Sequence, residues 1–317
     1  MNLILWLGAI LIGALLVLGL AFWRWPLAFV HAQRRRALAA VARPRSMSGP
    51  RGPLDYWVAG ERSDQPPGAQ PTVVFLHGAG DHAGTWAGTV AALRDTDLRC
   101  LIPDLPGHWK SAPADGPLSL ADGTAGLEAL LEREAPEQPV SLVGNSMGGW
   151  IALLYARRHP DRVARLVLED AGGVGNVAVS LRPRNRREAA ELMDAVLGPD
   201  TRRPAGFVLD HLVRRVASGP IPRIDATDPT PFRLDGELGE LDLPATVIWG
   251  EHDDVLPPAV GEQLSRELPR AKRVTLPRCG HIPHLECPER FLPALRRALE
   301  LEPGDEVHAA EKDHAAR

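Results

Sequence analysis

The segment VSLVGNSMGGW, Val140 to Trp150, constrains the fold more tightly than any other part of the sequence. A β-favouring apolar run enters Gly144, a polar pair follows, and Gly148 and Gly149 open a second apolar run with helical character. Gly144-Asn145-Ser146-Met147-Gly148 matches G-x-S-x-G, the pattern of a strand that turns directly into a helix. Such a turn forces its serine into strained backbone angles, and the positions around it must lack bulk so that two backbones can pass. The expected result is a Ser146 hydroxyl standing above a sheet, near the positive end of a helix that starts at Met147.

The rest of the chain supplies that sheet. Short apolar runs at Thr72–Leu76, Cys100–Ile102, Val140–Val143, Leu166–Leu168, Ala245–Ile248 and Arg273–Leu276 read as strands buried on both faces, with Leu54–Val58 as an earlier edge strand. Helical patterns lie between them, chiefly Thr85–Leu93, Leu120–Glu134, Met147–Arg158, Pro258–Leu268 and Pro288–Leu299. The alternation predicts an α/β domain over 54–301, with a mostly parallel sheet and helices on both faces. One interval breaks the rhythm. An Arg- and Pro-rich stretch at about 175–240, with helical segments Arg187–Leu197 and Phe207–Val216, is too long for a bare loop and reads as a helical cap.

The N-terminus carries a different signal. Leu3 to Phe22 holds no charge and would span roughly 30 Å as a helix, the thickness of a bilayer's hydrocarbon core, with Trp6, Trp23 and Trp25 near its ends. Residues 1–33 are therefore read as a transmembrane anchor in preference to a cleaved signal peptide, since the run is long and no Lys or Arg precedes it. Arg24, Arg34, Arg35, Arg36, Arg43 and Arg45 follow it, which by the positive-inside tendency puts the catalytic domain on the cytoplasmic side of a single-pass membrane protein. Residues 34–53 read as a basic linker and 302–317 as a polar, disordered tail. A net charge of −4, with both signs interspersed, argues against nucleic acid as a partner. Cys100, Cys279 and Cys287 are odd in number and lack metal spacing, so neither a disulfide framework nor a metal site is expected.

A serine is a weak nucleophile and needs a base and a group to orient that base. For a strand–serine–helix turn the expected chain order is Ser, acid, His. Gly250-Glu251-His252-Asp253-Asp254 follows one predicted strand and Arg278-Cys279-Gly280-His281 follows the next. His281 is the expected base and Asp253 the expected acid, with Asp254 as alternate and Asp170 as a third candidate. His284 is a rival base better suited to a structural role; His281, His284 and Glu286 could imitate a metal-ligand cluster, yet activity is expected to survive a chelator and no cofactor is implied. An oxyanion needs donors, for which the backbone N–H groups of Met147 and of Ala79, in the loop His77-Gly78-Ala79-Gly80, are placed.

From about Leu54 to Leu301 these segments resemble an α/β-hydrolase fold serine hydrolase, through HGAG at His77, DLPGHWKS at Asp104, GNSMGG at Gly144, WGEHDDVLP at Trp249 and GHIPHLECPE at Gly280. Trp109 stands where that family usually has Gly, in a loop that rims the site, which makes it a candidate substrate-binding residue. The single anchor followed by this motif set is similar in layout to membrane-bound monoacylglycerol lipases, which implies a lipid-derived or small ester as substrate and the bilayer as partner. Two other readings stay open. GNSMGG also occurs in hydrolases that cleave carbon–carbon bonds, and a non-catalytic relative could use the pocket to bind a ligand.

Overall fold

A computed structural model of the chain describes residues 19–20, 22–62, 64 and 70–301. The strands are β1 (Arg43–Gly49), β2 (Gly52–Ala59), β3 (Thr72–Leu76), β4 (Arg99–Pro103), β5 (Val140–Asn145), β6 (Val163–Glu169), β7 (Ala245–Gly250) and β8 (Ala271–Leu276). They form one sheet in the order β1-β2-β4-β3-β5-β6-β7-β8. β1 and β2 are antiparallel to each other, β2 is antiparallel to β4, and every other pairing is parallel.

Alternation along the strands divides the core between two faces. Val74, Leu76, Leu142 and Leu168 point to one side, where they pack with α3 (Leu120–Glu134), α4 (Met147–Arg158) and α8 (Pro258–Glu267). Val73, Phe75, Val143 and Val167 point to the other, against α1 (Pro26–Ala39), α2 (Ala87–Ala92) and α10 (Pro288–Ala298). α3 begins where Ser119 and Asp122 cap each other's backbone N–H groups. The interval between β6 and β7 holds α5 (Arg186–Val196), α6 (Gly206–Ala217) and α7 (Ile221–Asp225), helices that cover the carboxyl ends of the central strands, while the short α9 (Pro283–Glu286) follows β8.

Three expectations change here. Most of the apolar segment Leu3–Phe22 and all of 302–317 lie outside the described residues, and among the described residues no helix is long and apolar enough to cross a membrane. The segment expected to be a basic linker, 34–53, instead belongs to the fold, as the end of α1 and the strand β1. β1 has no apolar alternation because it is an edge strand, exposed or half-exposed along its length, and Pro44 is tolerated at such an edge. Leu54–Val58 is accordingly the second strand and not the edge. Finally, Cys279 and Cys287 are joined in a disulfide that ties the loop after β8 to the start of α10. Their spacing of eight residues carried no cue to that pairing.

α1 is fixed by charge as well as by the fully buried Leu38. The Arg35 guanidinium makes two hydrogen bonds to the buried Asp104 carboxylate, at 2.9 and 3.1 Å, and lies over the rings of Trp57 and Trp109. Asp104 also accepts from the Ala83 N–H at 2.7 Å. Burial pushes this carboxyl above its ordinary value and Arg35 opposes the rise. Removing one member of a buried pair costs more than the pair contributes, so Arg35→Ala should destabilise the protein by about 3–5 kcal/mol in urea unfolding. A loss within that of an ordinary surface substitution, about 0.5 kcal/mol, would mean that α1 is not held by this contact.

Candidate active site

The glycines around Ser146 are required by contact distances. A Cβ on Gly144 would lie 2.5 Å from the Gly148 carbonyl, one on Gly148 would lie 2.3 Å from the Leu76 carbonyl oxygen, and one on Gly149 would lie 2.4 Å from the Ala171 methyl. Ser146 itself has φ 53° and ψ −117°, a strained conformation for a residue with a side chain. Backbone bonds hold it there: its N–H donates to Glu169 O at 3.0 Å, and its carbonyl accepts from Trp150 N–H at 3.1 Å and Gly172 N–H at 3.0 Å.

Loops from β7 and β8 converge on that serine. Ser146 Oγ lies 2.9 Å from His281 Nε2, and His281 Nδ1 lies 2.8 Å from Asp253 Oδ2. The other Asp253 oxygen accepts from the N–H groups of Val255, at 2.8 Å, and Leu256, at 3.0 Å. A hydroxyl, an imidazole and an anchored carboxylate thus form one hydrogen-bonded chain along which a proton can pass from oxygen to nitrogen. Asp254 is exposed and outside it. Asp170 is buried beside the chain, with Oδ1 accepting from the Gly250 N–H at 2.9 Å. His284 reaches Glu169 and Thr85 and stacks on Trp86, far from any role as base to Ser146. Glu286 accepts from the N–H groups of Gly280 and Gly198, both at 2.7 Å, linking the His281 loop to the cap. Neither residue joins His281 in a ligand cluster.

The loop after β3 closes the site from the other side. A Cβ on Gly78 would come within 3.0 Å of Asn145 Oδ1, so this loop meets the turn at the limit of approach. Ala79 and Ser146 line the same cavities. The Met147 N–H belongs to the first turn of α4, where amides have no partner within the helix. Two histidines hold the loop in shape: His77 accepts from the Leu105 N–H at 3.0 Å and His108 accepts from the Gly80 N–H at 3.1 Å. Burial holds both imidazoles neutral, that of His108 down to about 3. Asn145, to which the G-x-S-x-G pattern itself assigns no role, holds the base loop from within that pattern: its amide donates to the His281 carbonyl at 3.0 Å.

Trp109 lies elsewhere than expected. It lines neither cavity at Ser146, and its half-exposed indole packs on the Arg35 guanidinium and the His82 ring. Its φ of 51° shows why glycine is easier at that position.

Among the described residues, two groups of side chains bring three ligand-type atoms within 4.8 Å of one another: His31, Asp81 and His82, and Asp170, Asp253 and His281. In the first, His82 Nδ1 accepts from the Gly84 N–H at 3.0 Å, so its proton sits on Nε2 and is shared with His31 Nδ1 at 2.7 Å. In the second, both His281 nitrogens are engaged by Ser146 and Asp253.

Asp170 has a measurable consequence. Burial first, then the charges of Asp253 and Glu169, hold its carboxyl well above the ordinary carboxylate range. A folded-state value raised in this way favours folding below the unfolded pKa, and that contribution is lost as pH rises toward the folded value. Asn keeps the oxygen that accepts from Gly250 and cannot ionise. As pH rises above the ordinary carboxylate range, Asp170→Asn should therefore lose less stability than the wild type. Equal losses in parallel urea titrations would show that Asp170 is ionised in the fold.

Two cavities open over Ser146, of about 270 and 340 Å³, both walled mainly by apolar side chains from the cap and the loop after β6. They meet at Ser146, Ala79 and Leu181.

Residues 73–294 match the model of the alpha/beta hydrolase family. Among curated proteins the chain is similar to a 2-hydroxy-6-oxononadienedioate/2-hydroxy-6-oxononatrienedioate hydrolase of Cupriavidus pinatubonensis, 32% identical over 66% of this chain and 80% of that one. It is also similar to a pimeloyl-[acyl-carrier protein] methyl ester esterase of Nitrosomonas europaea, 28% identical over 71% of this chain and 94% of that one. Among solved structures, a membrane phospholipase A described as a bacterial virulence factor superposes with a TM-score of 0.73 at 26% identity, covering 95% of this chain and 98% of its own. The chain belongs to the alpha/beta hydrolase family and is a hydrolytic enzyme.

Proposed function

We propose that the protein is a serine hydrolase of carboxylic esters acting on a lipid ester, of which monoacylglycerol is the simplest case. The observation that carries this reading is the hydrogen-bonded chain from Ser146 through His281 to Asp253, set beneath cavities with apolar walls. Ser146 Oγ attacks the ester carbonyl carbon while His281 Nε2 takes the hydroxyl proton. The resulting oxyanion is received by the N–H groups of Ala79 and Met147. The tetrahedral species collapses, the bond to the alkoxy oxygen breaks, and the proton on His281 passes to the departing alcohol. Water, deprotonated by the same imidazole, then attacks the acyl-enzyme and releases the carboxylate and free Ser146.

A carbon–carbon bond hydrolase is the second reading, favoured by the Cupriavidus relative. Its named substrate carries two carboxylates, whereas the cavity residues Arg34 and Arg233 are paired with Asp81 and Asp235, which leaves Arg215 as one cation for two anions among the described residues. The distinguishing experiment is free fatty acid release from a monoacylglycerol series by the detergent-solubilised protein beside Ser146→Ala. Release by the wild type alone supports the ester reading; cleavage of a ring-fission dienedioate with no ester turnover would replace it.

The segment Leu3–Phe22 is proposed as the membrane anchor, in line with the similarity to a membrane phospholipase A. The Cys279–Cys287 disulfide argues for an oxidising compartment and so against the cytoplasmic side that the flanking arginines favour. We therefore propose the non-cytoplasmic face for the catalytic domain. Protease added to intact cells with a permeable outer layer should digest it; protection until the inner membrane is lysed would restore the cytoplasmic assignment.

A further inference from the structure

The two cavities at Ser146 are not equivalent with respect to the chemistry. His281 lines the smaller, and Met147 lines the larger. The leaving oxygen of an ester must end within hydrogen-bond reach of the imidazole that protonates it, while the carbonyl oxygen points to the N–H of Met147. The alcohol side of the substrate therefore occupies the His281 cavity, and the acyl chain runs into the Met147 cavity between Trp150, Val177 and Phe232.

A leaving group such as methanol or glycerol would suit a small or polar alcohol cavity. This one is walled by Leu27, Leu192, Val196, Leu212, Val216 and Leu285. Its polar groups are largely spent: burial holds His31 neutral, down to about 4, and Arg34 faces Asp81 at 3.9 Å, which leaves Arg215 as its one cation without a carboxylate partner among the described residues. Filling such a wall with water or a polyol forgoes the transfer energy of apolar surface, about 25 cal/mol per Å².

We infer that the enzyme selects esters with an apolar chain on both sides of the scissile bond, so that the alcohol released is itself a lipid. The inference rests on the ester-hydrolase reading given above, adds which cavity takes which half of the substrate, and within the lipid esters favours those of a long-chain alcohol over monoacylglycerol. The position of α1 fits this. Leu27 belongs to the alcohol cavity, and at the same end of the helix Phe22, Trp23, Trp25 and Phe29 are exposed aromatic rings, a surface suited to lipid. An alcohol-side chain can enter from that surface without crossing water.

The test uses the full chain in mixed detergent micelles with ethyl decanoate, 1-monodecanoylglycerol and decyl decanoate, which share an acyl group and differ in the alcohol. Wild type should cleave decyl decanoate with kcat/KM at least about tenfold above that for ethyl decanoate. Leu212→Trp and, from a different helix, Leu27→Trp should each lower the decyl-to-ethyl ratio by about tenfold. Val177→Trp, in the acyl cavity, should lower both rates together and leave the ratio in place. The two alcohol-wall variants guard against one that fails to fold, which a thermal melt detects. A wild type that cleaves the ethyl and glycerol esters but is slower on the decyl ester overturns the inference and leaves the ester reading intact. So does a ratio that both alcohol-wall variants leave unaltered. A wild type that cleaves none of the three overturns the ester reading itself.

Discussion

Ser146→Ala should lower kcat for ester hydrolysis on the order of a millionfold, because the groups of a nucleophile–base–acid set act as a unit and removing the nucleophile removes nearly all they supply together. The variant should fold as well as the wild type. Its backbone bonds to Glu169, Trp150 and Gly172 involve no side-chain atom, and alanine meets the same strain at φ 53° as serine does. Substrate binding should persist, since the cavity walls are untouched, so the loss falls on kcat and not on KM. A fluorophosphonate, whose phosphorus takes the place of the ester carbonyl carbon, should label the wild type once and the variant not at all. Labelling that persists at another residue would move the nucleophile away from the turn. Activity lost without any wild-type labelling would point to a hydrolase that does not pass through an acyl-serine.

The turn was legible because its steric demands are local: three glycines and a serine within one short stretch permit few backbones, and the contact distances at Gly144, Gly148 and Gly149 are what the pattern implied. The parallel strands were legible for a related reason. Burial on both faces makes TVVFL and ATVIW continuous apolar runs, and β3 has the limits expected of it. β1 was not, because an edge strand needs no apolar alternation and RPRSMSG has none. α1 was also hidden. Its hold on the fold comes from pairing Arg35 with Asp104 and His31 with His82, contacts between residues 69 and 51 positions apart that leave no periodic trace. A run of arginines after an apolar segment looks like a topology signal, and here one of them, Arg35, is a half-buried structural cation. The disulfide was invisible for the same reason: a spacing of eight says nothing about whether two loops will meet. The two-sided character of the cavity depends on which side chains the cap brings over Ser146, and the cap carries no motif.

Asp253→Asn tests the acid more sharply than deletion would, and should lower kcat by about ten-thousandfold. The argument turns on what anchors the carboxylate. Asp253 Oδ1 accepts two backbone N–H bonds, from Val255 and Leu256, so an asparagine there must keep its carbonyl oxygen on that side. Its amide nitrogen is then forced toward His281 Nδ1, where it can only donate. The imidazole responds by carrying its proton on Nε2, the nitrogen that faces Ser146 Oγ at 2.9 Å, and can no longer accept the serine proton. Geometry is preserved while the tautomer is reversed, so the fold and fluorophosphonate access should survive as the labelling rate collapses. Asp254→Asn is the matched control, since its side chain is exposed and outside the hydrogen-bonded chain; activity should stay within about threefold of wild type, as for a surface substitution. If the two effects were exchanged, the β7 loop would have to rearrange during turnover to bring Asp254 to the imidazole, breaking the Val255 and Leu256 bonds that fix Asp253. If neither substitution mattered, the orienting carboxylate would have to be Asp170, which stands at the end of β6 but accepts its bond from Gly250 and makes none to His281.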